Sequence, residues 1–144
     1  MKNNNVIKAA LLGAGTVGSG VYALSGMLAD EMIQKTGGKL EIKKVMVRDL
    51  TKKREGIPQE ALTDNWEEIL NDEEIQLVIE VMGGVEPAKT YITQAILAGK
   101  QVVTANKDLL AEHGQELLTM AEERGVDLQF EAAVAGAIPI IRPL

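Results

Sequence analysis

The chain has no cysteine, which excludes a disulfide framework, thiol chemistry and a cysteine zinc site. Aromatic residues make up only 3% of it, so stacking platforms for single-stranded nucleic acid are missing. A basic excess is missing as well. The net charge is −6, so the molecule as a whole repels nucleic acid and anionic membranes, and any bound anion must be held by local features. No apolar run approaches the roughly 20 residues that cross a bilayer. The opening Met1-Lys2-Asn3-Asn4-Asn5 is polar and leads straight into an apolar run, with no room for a signal peptide's apolar region. A cytoplasmic location without nucleic-acid or membrane partners is therefore expected. The single histidine, His113, falls in a polar helical stretch and reads as a surface or capping residue.

What is present is a globular composition, 46% hydrophobic and 25% charged, in 144 residues, enough for one domain with one substantial core. The most informative stretch is Ala9-Ala10-Leu11-Leu12-Gly13-Ala14-Gly15-Thr16-Val17-Gly18. An apolar strand runs into G-x-G-x-x-G and then into a helical pattern. In such a turn Gly13 permits the tight bend, Gly15 lets the backbone approach a pyrophosphate, and Gly18 allows helix to pack on strand. Phosphates then meet unpaired N–H groups at the positive end of a helix dipole.

Apolar runs and helical patterns alternate along the rest of the chain. Strands are expected at Val6 to Leu12, Leu40 to Val47, Leu77 to Val81, Gln101 to Thr104 and Val126 to Glu131. Helices are expected from about Val17 to Lys35, from near Pro87 to Ala98, and from about Leu109 to Arg124, with a short one near Asp64 and Asn65, which supply a cap. The alternation implies an α/β fold, a Rossmann-type doubly wound and mostly parallel sheet with helices on both faces. Residues 1–135 read as this domain. Ile138 to Leu144 is apolar and reads as the start of a connection to a further domain, so the expectation is the N-terminal part of a larger protein.

Three stretches fall where ligands sit, at the carboxyl ends of the strands. After the second strand come Arg48, Lys52, Lys53 and Arg54; a cation there accommodates the 2′-phosphate of NADP. Asp49 keeps NAD open, because an acid there bonds a ribose 2′-OH. After the third strand, Glu80-Val81-Met82-Gly83-Gly84 carries paired glycines that let the backbone approach a cofactor closely. The fourth strand ends in Val102-Val103-Thr104-Ala105-Asn106-Lys107. Thr104 and Asn106 offer hydrogen bonds to a nicotinamide ribose or amide, and Lys107 is placed to orient a substrate hydroxyl or assist its proton transfer. Trp66, Tyr22 and Tyr91 read as packing.

Taken together, Leu-Leu-Gly-Ala-Gly-Thr-Val-Gly, Val-Arg-Asp-Leu-Thr-Lys-Lys-Arg, Glu-Val-Met-Gly-Gly, Val-Val-Thr-Ala-Asn-Lys and the run from Glu131 to Ile141 resemble the homoserine dehydrogenases. The resemblance covers the whole chain, and the last two motifs in this order are the specific ones. It implies an NAD(P)-binding domain followed by a dimerisation and substrate domain, in an enzyme that interconverts homoserine and aspartate 4-semialdehyde by hydride transfer. The full protein is then expected to be a homodimer or larger, acting on a small molecule. Carried onto this chain, Gly13, Gly15, Thr16, Val17, Gly18, Arg48 and Lys52 bind the adenine half. Gly83, Gly84, Thr104 and Asn106 lie along the ribose and nicotinamide, and Lys107 both contacts this region and serves catalysis. The same resemblance implies a monovalent cation loop, with Glu131, Val134 and Gly136 around a sodium ion. Alanine stands at position 137, where many members carry glycine, and that departure bears on the loop geometry.

Other readings share the glycine fingerprint. One is a stand-alone nucleotide-sensing module, which has no need of a lysine after the fourth strand. Another is the cofactor domain of a different semialdehyde or imine reductase, since fold does not set substrate.

Overall fold

The computed structural model describes residues 5–13, 38–51 and 57–130. Within them the strands are β1 (Asn5–Leu12), β2 (Gly38–Met46), β3 (Leu62–Thr63), β4 (Ile75–Glu80), β5 (Gln101–Thr104) and β6 (Leu128–Phe130). The helices are α1 (Trp66–Leu70), α2 (Ala88–Leu97) and α3 (Lys107–Arg124). All strand pairs are parallel, in the order β3-β2-β1-β4-β5-β6. That is the doubly wound order, with its reversal between β1 and β4. The expected helix from Val17 to Lys35 lies outside the described residues.

The strands are apolar on both sides because both sheet faces are covered. Ala9, Ala10, Leu11 and Leu12 are all fully buried, and alternate members belong to different cores. Ala10 and Leu12 join Val78 and Val102 beneath Trp66, Ile92, Ile96, Leu109 and Leu117 of the three helices. Ala9 and Leu11 join Val45, Leu77 and Ile79 on the opposite face, with Ile57 and Leu62. This is the period of two expected when successive side chains point to opposite faces. On the helical face Trp66 and Tyr91 stack with ring centroids 4.6 Å apart, and the indole Nε1 donates to Gln94 Oε1 at 2.6 Å. The packing role expected of both rings is what the structure shows; Tyr22 lies outside the described residues.

Two elements differ from expectation for local reasons. The strand Leu62–Thr63 pairs with Val45 and Met46, giving six strands where the pattern suggested five; two residues carry no periodicity. Helix α3 begins at Lys107 because the Asn106 side chain accepts from Leu109 N at 3.0 Å and caps it there. Its far end comes at Gly125, whose N–H bonds back to Ala121 and Glu122 carbonyls, as expected. The cap of α1 is Asn65, whose Oδ1 accepts from Glu67 N at 3.0 Å.

Two register shifts flank the centre of the sheet. Between Ala9 and Ala10 the partner in β2 jumps from Ile42 to Lys44, and between Lys8 and Ala9 the partner in β4 jumps from Ile75 to Leu77. Lys43 is the extra residue of the first bulge. Its ammonium meets Asp72 and Glu74, and Glu74 also takes Lys8 at 3.1 Å. The buried Lys100 ammonium donates to the carbonyls of Asp72 and Ile75 at 2.9 and 2.7 Å. These lysines fasten the amino-terminal end of β4 and leave its carboxyl end to the site.

Candidate functional site

The sheet order reverses between β1 and β4, and the carboxyl edge at that switch point is where ligands bind in this topology. Three short backbone bonds hold this edge. Gly13 N donates to Met46 O at 2.9 Å, Val81 N to Leu12 O at 3.1 Å, and Ala105 N to Glu80 O at 3.2 Å. Gly13 has φ +106°, a conformation that a side chain strains. A Cβ added there would stand 3.4 Å from Met82 Cγ and 3.5 Å from Met82 N, so the β1 and β4 exits run side by side.

The paired glycines after β4 are exposed, with φ +80° at Gly83 and +75° at Gly84. Nothing lies within 4 Å of a Cβ position on Gly83, so bare backbone faces open space there. A bare, exposed main chain beside the switch point is what close approach of a flat or phosphorylated ligand requires, and the residues present fit a dinucleotide.

Beneath these glycines lies Glu80, fully buried at the last position of β4. One carboxylate oxygen accepts from Met82 N at 2.9 Å, Gly83 N at 3.2 Å and Asn106 Nδ2 at 3.3 Å. The other accepts from the Thr104 hydroxyl. Asn106 Nδ2 also donates to Gly84 O, and Asn106 N donates to Thr104 Oγ1 at 3.1 Å. Thr104 and Asn106 are both buried, and their side chains are used in holding this edge together. Sequence reasoning passed over Glu80 as a site residue. Its signal was there: one charged residue closing an otherwise apolar strand immediately before two glycines.

Lys107 is the first residue of α3 and is exposed. Helix N-termini favour anions, so a lysine in that position has no helical reason to be there. Among the described residues it forms no ion pair within 4.0 Å. Arg48 is exposed just beyond β2. Next to it Asp49 Oδ1 accepts from Thr51 N at 2.9 Å and from the Thr51 hydroxyl, forming a closed turn. His113 pairs with Glu116 at 2.8 Å, one turn along α3, which is the surface role expected of it.

A model of the family described as homoserine dehydrogenase, NAD binding domain, matches residues 13–131. The chain belongs to this family. Among curated relatives, the homoserine dehydrogenase of Bacillus subtilis is 50% identical over 139 residues, covering 96% of this chain and 32% of that protein. The homoserine dehydrogenase of Corynebacterium glutamicum is 47% identical over 135 residues, covering 94% of this chain and 30% of that protein. Solved structures agree. The homoserine dehydrogenase of S. aureus superimposes with a TM-score of 0.80 at 44% identity, over 90% of this chain and 33% of that one. That of Thiobacillus denitrificans gives 0.81 at 39% identity, over 92% and 31%. The chain thus spans about a third of the length of the relatives it matches.

Of the expected homoserine dehydrogenase site residues, the structure brings Gly13, Gly83, Gly84, Thr104, Asn106 and Lys107 to one sheet edge, with Arg48 at the end of the neighbouring β2. Gly15, Thr16, Val17, Gly18, Lys52, Glu131, Val134 and Gly136 lie outside the described residues, as does the boundary expected near residue 135. Among the described residues, no cluster of histidine, aspartate or glutamate is placed to hold a metal ion, and no helix is long and apolar enough to cross a membrane.

Proposed function

We propose that this chain is the cofactor-binding part of an enzyme that interconverts L-homoserine and L-aspartate 4-semialdehyde, on the route to threonine, methionine and isoleucine. The observation that carries this reading is the convergence of Gly13, Gly83, Gly84 and the capped start of α3 on the switch point of a homoserine dehydrogenase fold. When bound, the nicotinamide cofactor supplies or takes up the hydride. Gly13 with Gly15, Thr16, Val17 and Gly18 receives the pyrophosphate, and the Gly83–Gly84 backbone, with Thr104 and Asn106 behind it, borders the nicotinamide half. Lys107 holds the substrate oxygen and exchanges its proton. Glu131, Val134 and Gly136 hold a monovalent cation, for which oxygen ligands are suited.

NADP is the cofactor this edge suits better. Arg48 offers a planar cation for a 2′-phosphate, and Asp49, the acid that would serve a 2′-OH, is engaged by Thr51. Residues of the substrate domain are needed for turnover, so the 144-residue chain binds cofactor without catalysing the reaction. The test is titration of NADP and NAD into this chain and its Arg48→Ala variant. Tighter binding of NADP, lost in Arg48→Ala with NAD binding retained, supports the assignment. Equal affinity for both cofactors in the unaltered chain sinks the NADP preference, and binding of neither sinks the dinucleotide site.

A further inference from the structure

Glu80 is the most deeply buried charged side chain among the described residues, and the roles assigned above make no use of it. A buried carboxylate costs several kcal/mol (roughly) unless its hydrogen bonds are complete. Here every group that meets it is a donor: the N–H groups of Met82 and Gly83, the Asn106 amide and the Thr104 hydroxyl. A sheet interior gains nothing from such a group that an apolar residue of similar size would not give. What the carboxylate does gain is geometric. Its donors come from two segments distant in sequence: the glycine loop after β4, and the stretch from the end of β5 to the cap of α3. Asn106 carries the link onward, since the same side chain holds Gly84 O and Leu109 N.

We infer that Glu80 is a positioning residue, which locks the Gly83–Gly84 backbone and the Asn106-capped start of α3 into one rigid rim for the nicotinamide half of the cofactor. The inference rests on the dinucleotide reading above. The adenine half lies beyond β1 and β2, where Glu80 holds nothing. Loss of the carboxylate therefore loosens one half of the site selectively, as expected when a supporting network rather than a contact is removed.

The experiment titrates the whole 144-residue chain with the dinucleotide it binds better and, separately, with that ligand's adenosine phosphate half. Unaltered chain, Glu80→Gln and Glu80→Met are compared, each with a melting curve. Glu80→Met is expected to lose about tenfold or more in dinucleotide affinity, equivalent to about 1.4 kcal/mol, while affinity for the adenosine half stays within about twofold. Glu80→Gln falls between, because it keeps one acceptor oxygen and turns an NH₂ group towards donors. If Glu80→Met melts before it can be titrated, Glu80→Gln decides, with a loss of about threefold or more confined to the whole dinucleotide. Dinucleotide binding by Glu80→Gln equal to that of the unaltered chain, or parallel loss of both ligands, overturns the inference and leaves the dinucleotide reading standing. Failure of the unaltered chain to bind either ligand removes that reading, and this inference with it.

Discussion

Gly13 faces Met82 across the switch point: a Cβ on Gly13 would stand 3.5 Å from both the Cα and the N of Met82. The end of β1 and the first residues after β4 thus lie close together. The same residue holds φ +106° and donates its N–H to Met46 O, so the ends of β1, β2 and β4 meet at one glycine.

Gly13→Ala is therefore expected to be harmful through its backbone. The left-handed backbone conformation alone costs about 1–3 kcal/mol for a residue with a side chain. The added methyl group would itself rest in ordinary contact with Met82, 3.4 Å from its Cγ and 3.5 Å from its backbone, so the backbone conformation carries the cost. The melting temperature should drop and dinucleotide affinity should fall at least about tenfold, equivalent to about 1.4 kcal/mol. A variant that melts and binds like the parent would show that this backbone conformation does not shape the site.

Lys107 is tested in a full-length family enzyme carrying this chain as its cofactor part. Lys107→Ala should lower kcat by about 10²–10⁴, the usual worth of a positioned acid–base group. Cofactor affinity should change far less than turnover. Lys107→Arg should not rescue the rate, because a guanidinium keeps its proton and carries it in a planar fork. A pure nucleotide sensor would instead keep its ligand response in both variants.

The lysine cluster at the other end of β4 predicts a pH dependence of stability. Hydrogen bonds from Lys43 hold the Asp72 and Glu74 carboxyls below the usual carboxylate range, with Lys8 adding to the effect on Glu74. The same two acids raise the Lys43 ammonium above its ordinary 10.5. Folded acids with lowered values stabilise the protein above the unfolded carboxylate range of about 4, and that share is lost as pH falls through their folded values. Lys43 works on the alkaline side. Its share is complete below the ordinary lysine value and is lost as pH rises through the raised one. Burial holds Lys100 below the ordinary value, so its share grows as pH climbs from the lowered value to the ordinary one, before the loss from Lys43 sets in. Melting followed by the fluorescence of Trp66, the only tryptophan, should show both shoulders, and Lys43→Met should flatten them. Identical acid shoulders in the two proteins would rule the cluster out as their cause.

Much of this was legible in the residues themselves. Apolar runs such as Leu77 to Ile79 announce a sheet covered on both faces. Asn65 and Gly125 mark helix ends by side-chain and backbone chemistry that acts over a few residues. Leu62–Thr63 was not legible, because a strand of two residues exists only through its neighbour β2. The extra residues at Lys43 and Gln76 were equally silent, since a bulge is a property of a pair of strands.

Local chemistry thus determined the element types and the parallel sheet, because periodicity, capping and turn preferences act between near neighbours. The strand order, the meeting of Gly13 with Met82, and the use of Glu80 were decided only in three dimensions. Thr104 and Asn106 stand 24 and 26 residues from Glu80 along the chain. They reach it because parallel pairing sets Glu80 opposite Thr104 on one side and Leu12 on the other. Without that register, Glu80 is one acid in a hydrophobic run; within it, the carboxylate joins the glycine loop after β4 to the junction of β5 and α3.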